Sequence, residues 1–370
     1  MRLLYWAEQF HPYLGGIEVL TANALPRLQD LGFSCSVITS KGPLDLPDED
    51  RYGSIPIYRF PFRSTLESKD PGAVNRLIRR LAELESDLAQ DLVHVFLSDP
   101  SCLFHLAARR LHRSRLVVSV HNSRSTSAPE TGPSLLARLL TEADWVVGNS
   151  SFTLGQLRVV APSCADRSSV IFSGVQGPAF TPAEFSLDPL RIVCAGRLVE
   201  TKGFDLAISA LSLLLPDHPR ARLQLIGDGP ARPALETLAG RLGIRDAVEF
   251  AGWVDPDHVY EHLDRASMVL IPSRSPETLC QVAIQASWMA RPIVATRIGG
   301  LPEVVVHERT GLLVGLNDCS ALVEAVDRLS RSPRRTREMA KAARVRALSM
   351  FNMSSYVDGV AAIYRRVGGS

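Results

Sequence analysis

The sequence predicts an α/β protein made of two doubly wound, Rossmann-like domains facing each other across a cleft. Three observations carry this expectation. Short apolar runs alternate with longer amphipathic segments along the chain, the pattern of parallel strands joined by crossover helices. The alternation lapses once, near the middle, and then restarts. A chain of 370 residues also exceeds one ordinary core, and two cores of roughly 170–190 residues are its natural division.

In the first half, strands are expected at residues 2–6, 34–39, 55–60, 92–97, 116–121, 145–148 and 169–172, with helices between them at 16–31, 73–89 and 133–142, among others. Pro26 falls inside the first helical pattern and implies a kink or a break there. Residues 173–189 hold two glycines and three prolines without periodicity and read as a linker. Strands then resume at 191–195, 222–226, 248–251, 268–271 and 293–295, each followed by a helical pattern. The last segment, 354–367, is an isolated amphipathic helix with Tyr356, Val360, Ile363 and Tyr364 on one side. The expected organisation is an N-terminal domain at 1–173, a C-terminal domain at 174–353, and a terminal helix at 354–370 packing back toward the N-terminal domain.

Composition narrows the function. Lys and Arg number 41 against 39 Asp and Glu, so no global charge points to nucleic acid. Basic residues do crowd locally, at Arg76, Arg79 and Arg80 and at Arg109, Arg110, His112, Arg113 and Arg115. A solvated helix face explains them, and peripheral contact of this basic N-terminal domain with anionic lipid stays open. The six cysteines are scattered with no paired spacing, which argues against a metal site or disulfide framework and for a reducing compartment. The N-terminus turns polar too soon for a signal peptide, and no apolar run reaches the ~20 residues of a membrane span. A cytoplasmic protein is expected, at most peripheral at the inner face of a membrane.

In doubly wound sheets, ligands bind beyond the carboxyl ends of the strands. After the first strand of the second domain come Gly196, Arg197 and, just before the next helix, Lys202 and Gly203. Two cations beside a helix N-terminus suit an anion, Arg as a planar fork and Lys as a mobile point charge. Alone they would pass for exposed loop residues. A second loop, after the strand at 268–271, carries Glu277, with a helix expected to begin around Thr278. Gln285 follows eight residues later, two turns on. Glu277 could simply cap that helix, or face the cleft and bind sugar hydroxyls, with the amides of Leu279, Cys280 and Gln281 reaching phosphate. His258, His262 and His307 have no partners at ligand spacing and are read as surface residues.

Taken together these features resemble the retaining glycosyltransferases of family four, which have the GT-B fold. The resemblance covers nearly the whole chain. Its marks are Phe10-x-Pro12-x-x-Gly15-Gly16-x-Glu18, Gly196-Arg197-Leu198-x-x-x-Lys202-Gly203 and Gly227-Asp228-Gly229-Pro230. Pro272-Ser273 before Glu277, Arg291-Pro292, Gly299-Gly300-Leu301-Pro302-Glu303 and Gly311-Leu312-Leu313-Val314 complete them. Each is weak alone, and their joint order is the signal.

The resemblance implies a hexosyltransferase-type enzyme whose co-substrate is a nucleoside diphosphate sugar, UDP- or GDP-linked, with no other cofactor and no metal. By the same resemblance, Arg197 and Lys202 hold the donor diphosphate and Glu277 holds hydroxyls of the transferred sugar. Gly15 and Gly16 bring amides to the distal phosphate, His121 sits near the reacting carbon, and Val254 lines the nucleobase pocket. Gly299-Gly300 and Gly227-Asp228-Gly229 are read as turns. The sequence departs from the family pattern at Gln285, where a second acid holds the ribose, at Thr278-Leu279-Cys280, where Gly-Phe-Gly is common and Cys280 replaces a glycine, and at Ser173-Gly174-Val175-Gln176, where Asn-Gly-Val-Asp is usual. Losing the charged acceptor costs roughly 1–2 kcal/mol of donor affinity, about tenfold.

Competing readings are a catalytically silent nucleotide-sugar-binding protein and an epimerase on the same scaffold. A dinucleotide-dependent dehydrogenase is disfavoured because no Gly-x-Gly-x-x-Gly follows the first strand. The hydroxyl acceptor is expected to meet the loops at 41–51, 62–71 and 124–133, which carry no interpretable code.

Overall fold

The computed structural model describes residues 1–13, 15–96, 100–121, 134–256 and 258–369. The end of the strand expected at 92–97, the start of the helix expected at 133–142 and the loop 124–133 lie outside the described residues. The chain divides into two compact units, Met1–Gly174 with Met353–Ser370, and Val175–Asn352.

The first unit runs β1 (Arg2–Ala7), α1 (Gly16–Asp30), β2 (Ser34–Ser40), β3 (Glu49–Tyr52), β4 (Ile55–Phe60), α2 (Phe62–Glu67), α3 (Pro71–Leu88), β5 (Leu92–Phe96) and α4 (Ser101–Ala108). It continues through β6 (Arg115–Val120), α5 (Leu135–Glu142), β7 (Trp145–Gly148), α6 (Ser151–Val160) and β8 (Ser168–Val170). The strands form one sheet in the order β3-β4-β2-β1-β5-β6-β7-β8. Among the described residues, only the β3–β4 pair of this sheet is antiparallel. Helices cover both faces, which is why β1 is apolar almost throughout. Leu4 and Trp6 enter one layer with Leu81 and Phe104, while Leu3 and Tyr5 enter the other with Leu20 and Leu28.

Three expectations need correction. α1 runs through exposed Pro26 without the break that was one of the two expectations there. The stretch expected as a loop at 62–71 contains α2, anchored by fully buried Phe62. The loop at 41–51 ends inside β3, a four-residue edge strand whose sequence Glu-Asp-Arg-Tyr has no apolar pattern. Charged side chains on an edge discourage further pairing. Among the basic residues, Arg109 turns inward toward Glu142 and Asp144, Arg115 pairs with Asp144, and Arg76 with Asp70.

The second unit runs β9 (Arg191–Ala195), α7 (Phe204–Leu214), β10 (Arg222–Ile226), α8 (Arg232–Arg241), β11 (Val248–Gly252), α9 (Val259–Asp264) and β12 (Met268–Ile271). It ends with α10 (Gln281–Trp288), β13 (Ile293–Thr296), α11 (Leu301–Val304), β14 (Leu312–Val314), α12 (Cys319–Ser330) and α13 (Pro333–Met350). Its sheet is wholly parallel in the order β11-β10-β9-β12-β13-β14. The winding reverses between β9 and β12, so the crevice for a ligand falls beyond their carboxyl ends. Arg291 is fully buried and donates to the carbonyls of Leu263, Ala183 and Asp264. It is a structural cation that ties the incoming linker to the unit.

The last helix, α14 (Met353–Gly368), packs in the first unit. Its buried stripe includes Tyr356, Val360, Ile363 and Tyr364. Tyr364 reaches the Tyr5 hydroxyl at 2.6 Å and His94 Nδ1 at 2.5 Å, and His94 Nε2 meets Ser119 Oγ at 2.7 Å. Among the described residues, no helix is long and apolar enough to cross a membrane.

Candidate active site

Two loops at the β9–β12 switch point build the site. After β9 the chain turns through Gly196, whose amide donates to the Ile226 carbonyl, and Leu198 then plunges into the core. A short 3₁₀ turn, Glu200–Lys202, leads to Gly203 and α7, where Phe204 is buried. With Leu198 and Phe204 pinned on either side, Arg197 and Lys202 are left at the surface of the loop. Gly203 has φ of 68°, and a Cβ there would lie 2.1 Å from the Pro272 carbonyl oxygen. Glycine therefore lets this loop lie directly against the one after β12.

That contact brings two of the sequence-predicted residues together. Lys202 Nζ donates to Glu277 Oε1 at 2.6 Å, and buried Ser273 donates to the same oxygen at 2.7 Å. Glu277 Oε2 makes no hydrogen bond among the described residues. Burial opposes the Lys202 charge, but the Glu277 carboxylate outweighs it and the lysine pKa is raised. The lysine is charged at neutral pH. Arg197 is exposed, and its guanidinium forms no hydrogen bond or ion pair among the described residues. The Arg197 charge is felt at Lys202, where it works against the ammonium. The arrangement is one open cation, one cation already neutralised by a carboxylate, and one open carboxylate oxygen.

Two supports were not identified as such from the sequence. Arg274 grips Asp205 with both terminal nitrogens, each at 2.6 Å, and its amide donates to the Thr201 carbonyl. This fork locks the Glu277 loop to the Lys202 loop. Gly299 and Gly300, read as a turn, lie directly beneath residues 276–278. The Gly300 amide donates to the Glu277 carbonyl at 2.6 Å, and a Cβ on Gly300 would stand 2.1 Å from the Thr278 carbonyl oxygen. The turn is a shelf for Glu277. The Gly-Gly pair in the sequence was its only local signal.

The helix expected near Thr278 begins instead at Gln281. Leu279 and Cys280 are drawn into the core before it can start. Burial, with the Glu277 charge adding, pushes the Cys280 thiol up to about 12, so it stays protonated and inert. Gln281 is exposed at the first turn of α10. Gln285 is half-buried four residues on, and its side chain forms no hydrogen bond among the described residues. Glu277 and Gln285 are thus not two turns apart on one helix, since Glu277 precedes it by a loop. Val254 is half-buried just beyond β11.

Three expected residues belong to the first unit. Gly15 is the N-cap of α1 and Gly16 its first residue. The Glu18 carboxylate folds back over them, accepting from the amides of Ile17 and Glu18, while burial raises its pKa. His121 follows β6, with Nδ1 3.2 Å from Ser173 Oγ and its ring 5.5 Å from that of Phe96. Desolvation lowers its pKa to about 4, so the imidazole is neutral at pH 7.

Two α/β units, each built on an open and mostly parallel sheet, form the architecture of the GT-B glycosyltransferases. The described chain superposes on sucrose-phosphate synthase from Thermosynechococcus elongatus with a TM-score of 0.82 at 20% identity, covering 100% of both chains. It superposes on Anabaena HepE in complex with UDP with a TM-score of 0.77 at 19% identity, covering 99% of this chain and 100% of that one. In sequence, residues 14–176 match Glycosyltransferase Family 4, and residues 180–346 match Glycosyl transferases group 1. The D-inositol 3-phosphate glycosyltransferase of Acidothermus cellulolyticus is 28% identical, over 95% of this chain and 85% of its own. The GDP-mannose-dependent alpha-(1-6)-phosphatidylinositol monomannoside mannosyltransferase of Mycolicibacterium smegmatis is also 28% identical, over 94% of each chain. The chain belongs to glycosyltransferase family four and is an enzyme of the hexosyltransferase class.

Proposed function

We propose that the protein moves a sugar from a UDP- or GDP-linked donor to a hydroxyl acceptor, with retention at the anomeric carbon and without a metal ion. One observation carries the reading: Glu277 is held through Oε1 by Lys202 and Ser273 while Oε2 stays open, on a loop locked to the one bearing exposed Arg197. An open, oriented carboxylate oxygen suits sugar hydroxyls, and the neighbouring cations suit the diphosphate attached to that sugar. The two nucleotides named for the Anabaena complex and the mannosyltransferase relative are both nucleoside diphosphates, which supports the donor class.

In the proposed reaction the bond between the anomeric carbon and the diphosphate breaks and negative charge gathers on the leaving oxygen. Arg197 and Lys202 stabilise that charge most at the moment it develops, which is where binding lowers the barrier. Lys202 is held in place beforehand by Glu277, so little reorganisation is left for the reaction. The acceptor oxygen bonds to the same carbon, and its proton passes to the departing phosphate oxygen, so no separate base is needed. Family resemblance assigns Gly15, Gly16 and neutral His121 to the same donor, and Gln285 to its ribose. The donor is tested with a panel of UDP-, GDP-, ADP- and dTDP-sugars, scored by thermal stabilisation and slow hydrolysis. One nucleotide should stabilise and be hydrolysed. Stabilisation with neither hydrolysis nor transfer would instead mark a silent binder.

A further inference from the structure

We propose that the second unit carries a second anion site, at the end of its sheet opposite the donor loops, for a small metabolite bearing two or more phosphate charges. The site is a cavity of about 520 Å³ at the amino ends of β9 and β10. A five-residue strand separates it from the donor loops, a distance of about 15 Å.

The cavity lining holds four arginines, Arg191, Arg220, Arg222 and Arg265, against one carboxylate, Glu249. Arg191 and Arg222 are the first residues of adjacent parallel strands and pair in register, so their side chains leave the sheet on the same face. Like charges placed directly opposite one another repel and cost stability. Nothing in the described residues relieves this pair: Arg191 and Arg265 form no side-chain hydrogen bond or ion pair, and Arg222 reaches only the carbonyl of Ala221. Asp188 is occupied by Arg220, which holds both of its oxygens. Glu249 is occupied too, accepting from Gln224 at 2.8 Å, and Gln224 in turn meets His262 Nδ1 at 3.0 Å. His262 is therefore part of a fixed chain on the cavity floor and not a free surface residue. That chain satisfies the floor's own polar groups and, with Arg220 held by Asp188, leaves Arg191, Arg222 and Arg265 with unspent guanidinium donors. Guanidinium forks at this density match phosphate oxygens, and several of them match more than one phosphate.

The test is calorimetric titration of the full chain with inorganic pyrophosphate in about 0.15 M salt, where long-range attraction is largely screened. Pyrophosphate should fill two sites in the wild type. R191Q/R222Q should lose one of them whatever happens at the donor loops, while R197A should keep the one that R191Q/R222Q loses. Each single change, R191Q or R222Q, should weaken that site about tenfold. The unliganded R222Q protein should melt no lower than the wild type, because a repulsion is removed. R265Q, on an exposed helix end, gives the same readout should the double variant fold poorly. Identical stoichiometry and affinity in the wild type, R191Q/R222Q and R265Q would overturn the proposal.

Discussion

Replacing Glu277 by Gln separates the two jobs proposed for that side chain. The amide oxygen can still accept from Lys202 and Ser273, so the fold should tolerate the change. The bonds at stake join a lysine side chain 30% exposed to a glutamate 16% exposed. With solvent screening, the charge-assisted part of that contact is worth about 1–2 kcal/mol. In a unit of this size such a loss lowers Tm by roughly 2–4 °C per kcal/mol. The open oxygen, in contrast, becomes an NH2 group that cannot accept a hydroxyl. Removing a preorganised transition-state contact costs about 2.7–4 kcal/mol, or on the order of 10²–10³ in kcat/KM. The assay is donor hydrolysis and transfer at saturating and limiting donor, run beside a thermal melt. A second arm follows from the raised Lys202 pKa. A lysine whose folded pKa is raised contributes stability below its ordinary pKa and loses it as pH rises through the raised one. E277Q removes the main cause of the raise, so the alkaline limbs of activity and stability should both move to lower pH. The reasoning is refuted if E277Q keeps kcat/KM within threefold of the wild type, or if activity falls only in proportion to the folded fraction.

Other outcomes follow from the same geometry. G300A places a Cβ 2.1 Å from the Thr278 carbonyl and should displace the Glu277 shelf, lowering both Tm and kcat/KM, the latter at least about tenfold. Q285E should tighten nucleotide binding about tenfold in calorimetry, while Q285A should leave it near the wild-type value or weaker; no change in either removes Gln285 from the site. Buried His94 and half-buried His121 are neutral, their pKa values lowered from 6.5 by desolvation to about 3 and about 4. Below about pH 6.5 the unfolded chain takes up protons that the folded chain refuses, so stability should fall steadily from there toward pH 4 in melts across pH.

The strands were the most legible part of the fold, because a parallel strand buried on both faces reads as a short apolar run. The bounds expected for β9, β10 and β12 are those observed. β3 was invisible for the opposite reason, being four mostly charged residues that pair only because an edge was available. The start of α10 was misplaced because Thr278 resembles a cap, whereas the burial of Leu279 and Cys280 delays the helix. At the site, Arg197, Lys202 and Glu277 were legible as chemistry at strand ends, but not as partners. Lys202 and Glu277 are 75 residues apart in sequence, and Arg274 and Asp205 are 69 apart. No periodicity reports such pairs. The facing of Arg191 and Arg222 likewise emerges only once strand register is known.

The central claim is that Arg197 and Lys202 stabilise the departing diphosphate. The most direct test is kcat for hydrolysis of the preferred nucleoside diphosphate sugar at saturating donor, compared between the wild type and R197A. The predicted result is a fall on the order of 10²–10³ with the melting temperature unchanged, since exposed Arg197 forms no side-chain hydrogen bond or ion pair among the described residues. An unchanged kcat in R197A, repeated in Lys202→Ala, would contradict it.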